Sequence, residues 1–244
     1  RESKQIKYLY SKGKVTGPSQ AAQPAYMLEG FESQGSGLAG SSFSDQQAQN
    51  AMQMKVLERS RSFREREENA IWNGDSSSNS VEFDGIITQQ GTTNQGDKSG
   101  ASLEYDDTED AIEQAADSGG RPNVAGANFN VIKQLRQIMI DLFNYRPADM
   151  EQDGMSFGVP SSITLETEIG PVPVIPSQFM NSTDGEQQLF FLDMDQVEMR
   201  NLLDMSFEQK PDEDDSQVFL LKAYETLVMK APQFNAFVDN IADA

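Results

Sequence analysis

The stretch SDQQAQNAMQMKVLERSRSFREREENAIWNG, residues 44–74, decides how the rest of the chain is read. Ser44 followed three residues later by Gln47 has the form of a capping box, and Asp45 places an acid in the first turn, where the helix dipole favours it. No Gly or Pro interrupts the stretch until Gly74 supplies a stop. The pattern predicts one helix from Asp45 to Asn73, roughly 44 Å long at 1.5 Å per residue. Ala48, Met52, Val56, Phe63 and Ala70 fall on or near one side and give it a narrow apolar stripe. The other side carries Arg59, Arg61, Arg64, Arg66, Glu65, Glu67 and Glu68, with Arg61–Glu65 and Arg64–Glu68 at i,i+4 spacing. A helix this long with so thin a stripe needs neighbours along its length.

What precedes the helix is poor in core-forming residues. Leu, Ile, Val and Phe occupy 7 of residues 1–55, against 34 of the 114 residues from 127 to 240. The first segment lacks the means to close its own core, and the last has them. Gln5-Ile6-Lys7-Tyr8-Leu9-Tyr10 alternates as a strand does, and Lys12-Gly13-Lys14-Val15-Thr16-Gly17-Pro18 leads into a polar run rich in Gly, Ser, Gln and Ala. Residues 1–43 therefore read as an extended arm that needs a partner surface or, equally well from composition, as a floppy tail. Charge is equally uneven: residues 1–66 carry 10 basic and 6 acidic groups, and the remainder carries 9 and 33. A basic arm precedes an acidic body.

After the helix, Val81-Glu82-Phe83-Asp84-Gly85-Ile86-Ile87 alternates like a strand and Gln89 to Ala101 reads as a polar loop. Helices are expected from Thr108 to Asp117 and from Asn130 to Tyr145. Val131, Ile132, Leu135, Ile138, Met139, Leu142 and Phe143 form a core-facing stripe on the second. Ile163–Ile169 and Val172–Ile175 flank Gly170-Pro171 as a hairpin, and Leu189-Phe190-Phe191-Leu192 reads as a buried strand. Two long strands, about Val197–Glu208 and Gln217–Lys230, are expected to close the chain. The acidic turn Pro211-Asp212-Glu213-Asp214-Asp215 joins them. The class is α+β.

Composition removes much chemistry. The 244 residues contain no Cys and no His, which excludes disulfides, Cys/His zinc sites and His-based nucleophile activation. A net charge of −20 argues against electrostatic gripping of nucleic acid, and no apolar run approaches a membrane span. Asp212, Glu213, Asp214 and Asp215 offer the oxygen ligands a divalent cation wants, without the spacing or central Gly of an EF-hand. They read first as a solvated hairpin tip that discourages edge pairing. Glu166 and Glu168 alternate on a strand, but such pairs arise by chance among 39 acids. Gly119-Gly120-Arg121-Pro122 lacks phosphate-loop spacing and reads as a turn, and Trp72 reads as a packing anchor. No enzyme, cofactor or metal is expected. The chain begins at Arg1 rather than Met, so an upstream segment is expected to have been removed or left out.

The order of these pieces is more specific than any one of them. Ile6 to Pro18, the helix ending in Glu68-Asn69-Ala70-Ile71-Trp72-Asn73-Gly74-Asp75, Glu82 to Thr88, Gly119 to Asn123, Val197-Glu198-Met199-Arg200 and Tyr224 to Asn235 together resemble the major capsid proteins of tailed bacteriophages, the Hong Kong 97-type fold. The resemblance covers essentially the whole chain. It implies that residues 1–43 are an extended loop lying over a neighbouring subunit, and that residues 44–88 and 195–244 form a peripheral β-sheet domain with the helix as its spine. Residues 89–194 would then be a mixed α/β axial domain packed around fivefold and sixfold axes. It implies a virion structural protein, assembled in the host cytoplasm. The shell would be icosahedral, built of pentamers and hexamers of this chain, with portal and scaffold or decoration proteins as partners. It would enclose double-stranded DNA without sequence specificity, and no membrane is involved.

Inter-subunit contacts are then expected from Lys4, Lys7, Lys12 and Lys14 in the arm, from Arg59, Arg61, Arg64, Arg66, Glu65 and Glu68 on the helix, and from Asp212, Glu213, Asp214 and Asp215 near a local threefold meeting point, where cations would relieve their repulsion. Some relatives cross-link a loop Lys to a neighbour's Asn with help from a Glu; the lysines here supply amines, but no Asn and Glu match that pattern. Three other readings compete. One is an encapsulin-like compartment shell on the same fold. The others are an acidic, cation-binding decoration or adhesion module and an acidic hydrolase with two converging carboxylates.

Overall fold

The computed structural model describes residues 4–16, 49–143, 163–211 and 215–243. Among these, the elements in chain order are β1 (Lys7–Thr16), α1 (Gln49–Asn73), α2 (Ile86–Gln90), β2 (Gln95–Asp97), α3 (Tyr105–Asp117), β3 (Val124–Ala127), α4 (Phe129–Phe143), β4 (Ile163–Thr167), β5 (Gly170–Pro176), β6 (Gln187–Leu192), β7 (Val197–Gln209), β8 (Ser216–Met229), a 3₁₀ turn (Pro232–Phe234) and β9 (Ala236–Ile241). The capping residues Ser44 and Gln47 and most of the arm lie outside the described residues, as do Asp212, Glu213 and Asp214. The chain divides into two compact units, Arg1–Glu68 with Asn201–Thr226 and Asn69–Arg200 with Leu227–Ala244. The division falls inside α1, β7 and β8.

The first unit is built on a sheet in the order β1-β8-β7. β1 runs antiparallel to β8 from Lys7 opposite Glu225 to Thr16 opposite Ser216. The start of the arm finds its pairing surface within its own chain, on β8, which with α1 supplies the core that the arm's own residues lack. Val15, Phe219, Leu221 and Ala223 are buried against Phe63 of α1, with Leu9, Met52 and Val56 packed around them. The narrow helix stripe meets this sheet face, and a narrow stripe is enough for it. Gly13 sits opposite Phe219, whose ring occupies the place a Cβ on Gly13 would take.

The second unit holds a six-stranded mixed sheet in the order β2-β9-β6-β3-β5-β4. β6 is its centre, and its run Gln187-Gln188-Leu189-Phe190-Phe191-Leu192 is buried on both faces as period-two alternation dictates. Leu189 and Phe191 join Ala111, Ile112 and Ala115 of α3 and Val131, Ile132 and Leu135 of α4. Phe190 points the other way, stacked on Phe237 at 5.0 Å between ring centroids, with Trp72 6.0 Å from it. Trp72 lies over Gly126 of β3, where any Cβ would strike the indole. At the start of α3 the Glu104 N–H donates to Asp107 Oδ2 at 2.7 Å, and Lys98 Nζ lies 2.8 Å from the same carboxylate.

Three expectations are corrected here. Val81 to Ile87 is not a strand: its described form is a turn that runs into α2. The buried side chains are Phe83 and Ile86, three residues apart rather than two, while Val81 is exposed. Hydrogen bonds hold the turn, with the Gly85 N–H donating to Gly74 O at 2.8 Å and Gln89 Nε2 donating to Asp84 O at 2.6 Å. The polar loop from Gln89 to Ala101 contains the short strand β2, which pairs in parallel with β9. The two long strands do not close the chain, because β9 follows them and runs antiparallel to β6.

Candidate inter-subunit surfaces

In β1 the alternation leaves Ser11, Gly13 and Val15 buried and Tyr10, Lys12, Lys14 and Thr16 exposed. Lys12 and Lys14 therefore stand on one face of the strand, toward solvent, as a basic edge. Lys4 and Lys7 are half-buried, Lys7 standing in register with Glu225.

On α1, Arg61 Nε pairs with Glu65 Oε1 at 3.4 Å, as the i,i+4 spacing predicts, and both side chains are largely exposed. A pair of this kind contributes about 0.3–0.5 kcal/mol, so it orders the helix surface without fixing the fold. Arg64, Arg66 and Glu68 are exposed; Arg59 is half-buried, with a buried Nε that has no hydrogen-bond partner among the described residues. Of the acidic turn, Asp215 is described and is exposed. The three groups of charge thus stand on separate parts of the chain, and α1 with β1 brings the arm lysines and the helix arginines into the same unit.

Two features were not singled out in the sequence. The first is Glu225 on β8, only 2% exposed, whose Oε1 has no hydrogen-bond partner among the described residues. Burial first, then the Glu67 carboxylate from α1, and then Asp204 push its pKa from the ordinary 4.5 up to about 7. A Glu on a strand of alternating pattern gives no sign of this, because Glu67 reaches it only through the packing of helix on sheet.

The second is the outer strand β7. Leu202 is 74% exposed and Phe207 50%, with Leu203 and Met205 also exposed. Phe207 stacks on Phe219 with ring centroids 5.6 Å apart, and Glu208 is held by Lys210 at 2.6 Å and by Lys222. Those two cations hold its carboxyl at about 2, well below the usual carboxylate range. A signal was present in the sequence: Leu202 and Leu203 are adjacent, so one of them must face away from any single buried face.

No group of three or more acidic residues among the described ones could hold a metal ion, and none of the described helices is long and apolar enough to cross a membrane. The described residues thus hold a three-stranded sheet packed on a long helix in one unit and a six-stranded mixed sheet with two helices in the other, the elements of the Hong Kong 97-type fold. Residues 12–242 match the family model described as SU10 major capsid protein, and the chain belongs to that family. It is a structural protein that forms capsid shells.

Solved structures agree on the fold. The chain is similar to the encapsulin SrpI of Synechococcus elongatus PCC 7942, with 13% identity and a TM-score of 0.60 over 97% of this chain and 74% of that one. It is also similar to a capsid chain of cyanophage A-1(L), with 9% identity and a TM-score of 0.59 over 97% and 77%. A chain from Gordonia phage Cozz gives 11% identity and a TM-score of 0.59 over 99% and 72%. No curated protein matches the chain.

Proposed function

We propose that this chain is the major capsid protein of a tailed phage, building an icosahedral head of pentamers and hexamers that encloses double-stranded DNA, with no catalytic role. The observation that carries the reading is the family match across residues 12–242, which takes in the second half of β1 and every later described element through β9. In this reading residues 1–43 are the extended loop, residues 44–88 and 195–244 the peripheral domain, and residues 89–194 the axial domain. Lys4, Lys7, Lys12, Lys14, Arg59, Arg61, Arg64, Arg66, Glu65, Glu68, Asp212, Glu213, Asp214 and Asp215 are the charged groups that meet across subunits. The portal and scaffold or decoration proteins are further partners, and assembly takes place in the host cytoplasm. An acidic body suits a container for DNA, since a net charge of −20 limits adhesion of the packaged polyanion to the wall.

The encapsulin fold likeness supports a second reading, a compartment shell around a protein cargo. Negative-stain microscopy of purified particles, followed by nuclease digestion and analysis of the contents, separates the two. Closed particles tens of nanometres across holding nuclease-protected double-stranded DNA are the expected result. Particles filled with one protein and free of nucleic acid favour the compartment, and a stable monomer at every salt concentration overturns both.

A further inference from the structure

We propose that Glu225 is a proton-operated latch between α1 and the strand beneath it: protonated, it shares a hydrogen bond with Glu67 and holds that turn of α1 on β8; ionised, it turns to Lys7 of β1 and the turn lets go. The latch residues all belong to the first unit, so its action does not depend on what the subunits assemble into.

Alternation along β8 puts Glu225 on the face that packs under α1. Phe219, Leu221 and Ala223 precede it on that face and Leu227 follows, and all four are buried. A carboxyl thus interrupts an apolar row, only 2% exposed and with an Oε1 that has no hydrogen-bond partner among the described residues. The helix repeats the interruption, because half-buried Glu67 lies one turn beyond buried Phe63 on the same side. The two carboxyl groups share a hydrogen bond, which requires a proton between them. Two ionised carboxylates in contact repel, and burial penalises each charge. The pair is therefore cohesive with one proton and repulsive without it.

The surrounding charges fix the direction of change. Asp204 of β7 adds negative potential at Glu225, while Arg64, Arg66 and Glu68, which flank Glu67 on α1, are exposed. Ala223 and Leu227, the neighbours on the same face of β8, carry no charge. Lys7 stands directly opposite Glu225 in the register and so projects from the same face of the sheet. Loss of the proton exchanges a bond to the helix for an ion pair within the sheet. Burial, then the Glu67 and Asp204 carboxylates, bring the exchange to about 7. Phe63 on one side of the turn and Trp72 on the other keep contacts of their own, so the loosening is confined to the stretch between them.

The test is hydrogen–deuterium exchange of the purified full chain, read by mass spectrometry between pH 5 and pH 8 and corrected for the intrinsic pH dependence of amide exchange. The expected result is that protection of the amides from Arg64 to Ile71 falls as pH rises toward 7, by up to about tenfold per pH unit, and levels off above it, while the amides from Gln53 to Ser60 keep theirs. Glu225→Gln keeps a neutral hydrogen-bonding partner for Glu67 and should abolish the fall. Lys7→Gln removes the cation that receives the ionised carboxylate and should move the midpoint to higher pH. A parent chain with no fall, a fall that persists in Glu225→Gln, or a loss spread evenly over the whole helix overturns the latch. An unmoved midpoint in Lys7→Gln overturns the exchange of partners.

Discussion

Glu225 is the residue in which the structure stores the most unusual chemistry. Its carboxyl lies among Glu67 of α1 and Asp204 of β7, in register with Lys7 of β1, and its pKa is raised from 4.5 to about 7. Because the folded state holds this proton more tightly than the unfolded chain does, stability is greatest below pH 4.5 as far as this group is concerned. It falls as pH rises through the interval to about 7, and the full penalty applies above it. Glu225→Gln removes the titration. Urea unfolding of the unassembled subunit should show the variant gaining about 1–3 kcal/mol over the parent at pH 8 and little at pH 5. Equal gains at both pH values would show that the carboxyl is not the titrating group. Gly126 is the converse case, a position where the absence of a side chain does the work. Trp72 covers it, so Gly126→Val must displace the indole from the sheet and should cost about 1–3 kcal/mol, with loss of the Trp72 fluorescence signature of the native state.

At the scale of elements, α1 shows how much a thin stripe accomplishes. Phe63 is 3% exposed and touches the β1–β8 face, while the helix's charges remain outside. Phe63→Ala should cost about 3–5 kcal/mol of subunit stability, measured by denaturant unfolding, whereas Arg61→Ala should change it by under about 0.5 kcal/mol. The helix was legible in the sequence because its period, its stop at Gly74 and its freedom from Gly and Pro agree over many residues. So were α3, α4, the β4–β5 hairpin, β6, β7 and β8, to within a few residues at their ends. β2, β3 and β9 were not legible. Each is short, and Val124-Ala125-Gly126-Ala127 has little intrinsic strand preference; it is a strand because β6 and β5 pair on either side and Trp72 requires a glycine there. The turn from Val81 to Gly85 misleads for a related reason. Its alternation of Val81, Phe83 and Gly85 imitates a strand, but burial of Phe83 and Ile86 and the Gly74–Gly85 hydrogen bond decide its path.

For the whole molecule the dominant fact is asymmetry of charge, a basic front segment ahead of a strongly acidic remainder. The proposed contacts between a lysine edge on one subunit and carboxylates on the next would be screened over about 3 Å at 1 M salt, against about 10 Å at 0.1 M. Light scattering of purified particles should therefore show their dissociation midpoint in denaturant falling as salt rises from 0.1 M to 1 M. A midpoint that rises instead would mean that general repulsion among acidic subunits outweighs the specific attractions.

The sequence by itself determined the α+β class and the order of the parts, and the resemblance carried by that order implied the capsid family. Helix period, strand alternation, the absence of Cys and His and the distribution of charge are local or additive properties, and they need no partner to be read. It also named the charged groups of β1 and α1, because i,i+4 spacing and alternation place side chains on faces directly. The tertiary structure alone decided that the start of the arm pairs with its own β8, that Glu225 is buried against Glu67, and that β7 is an outer strand of its sheet among the described residues. Each of these depends on which distant segments lie side by side, and a residue's burial, its pKa and its exposure at a sheet edge are set by those neighbours rather than by the residue's own type.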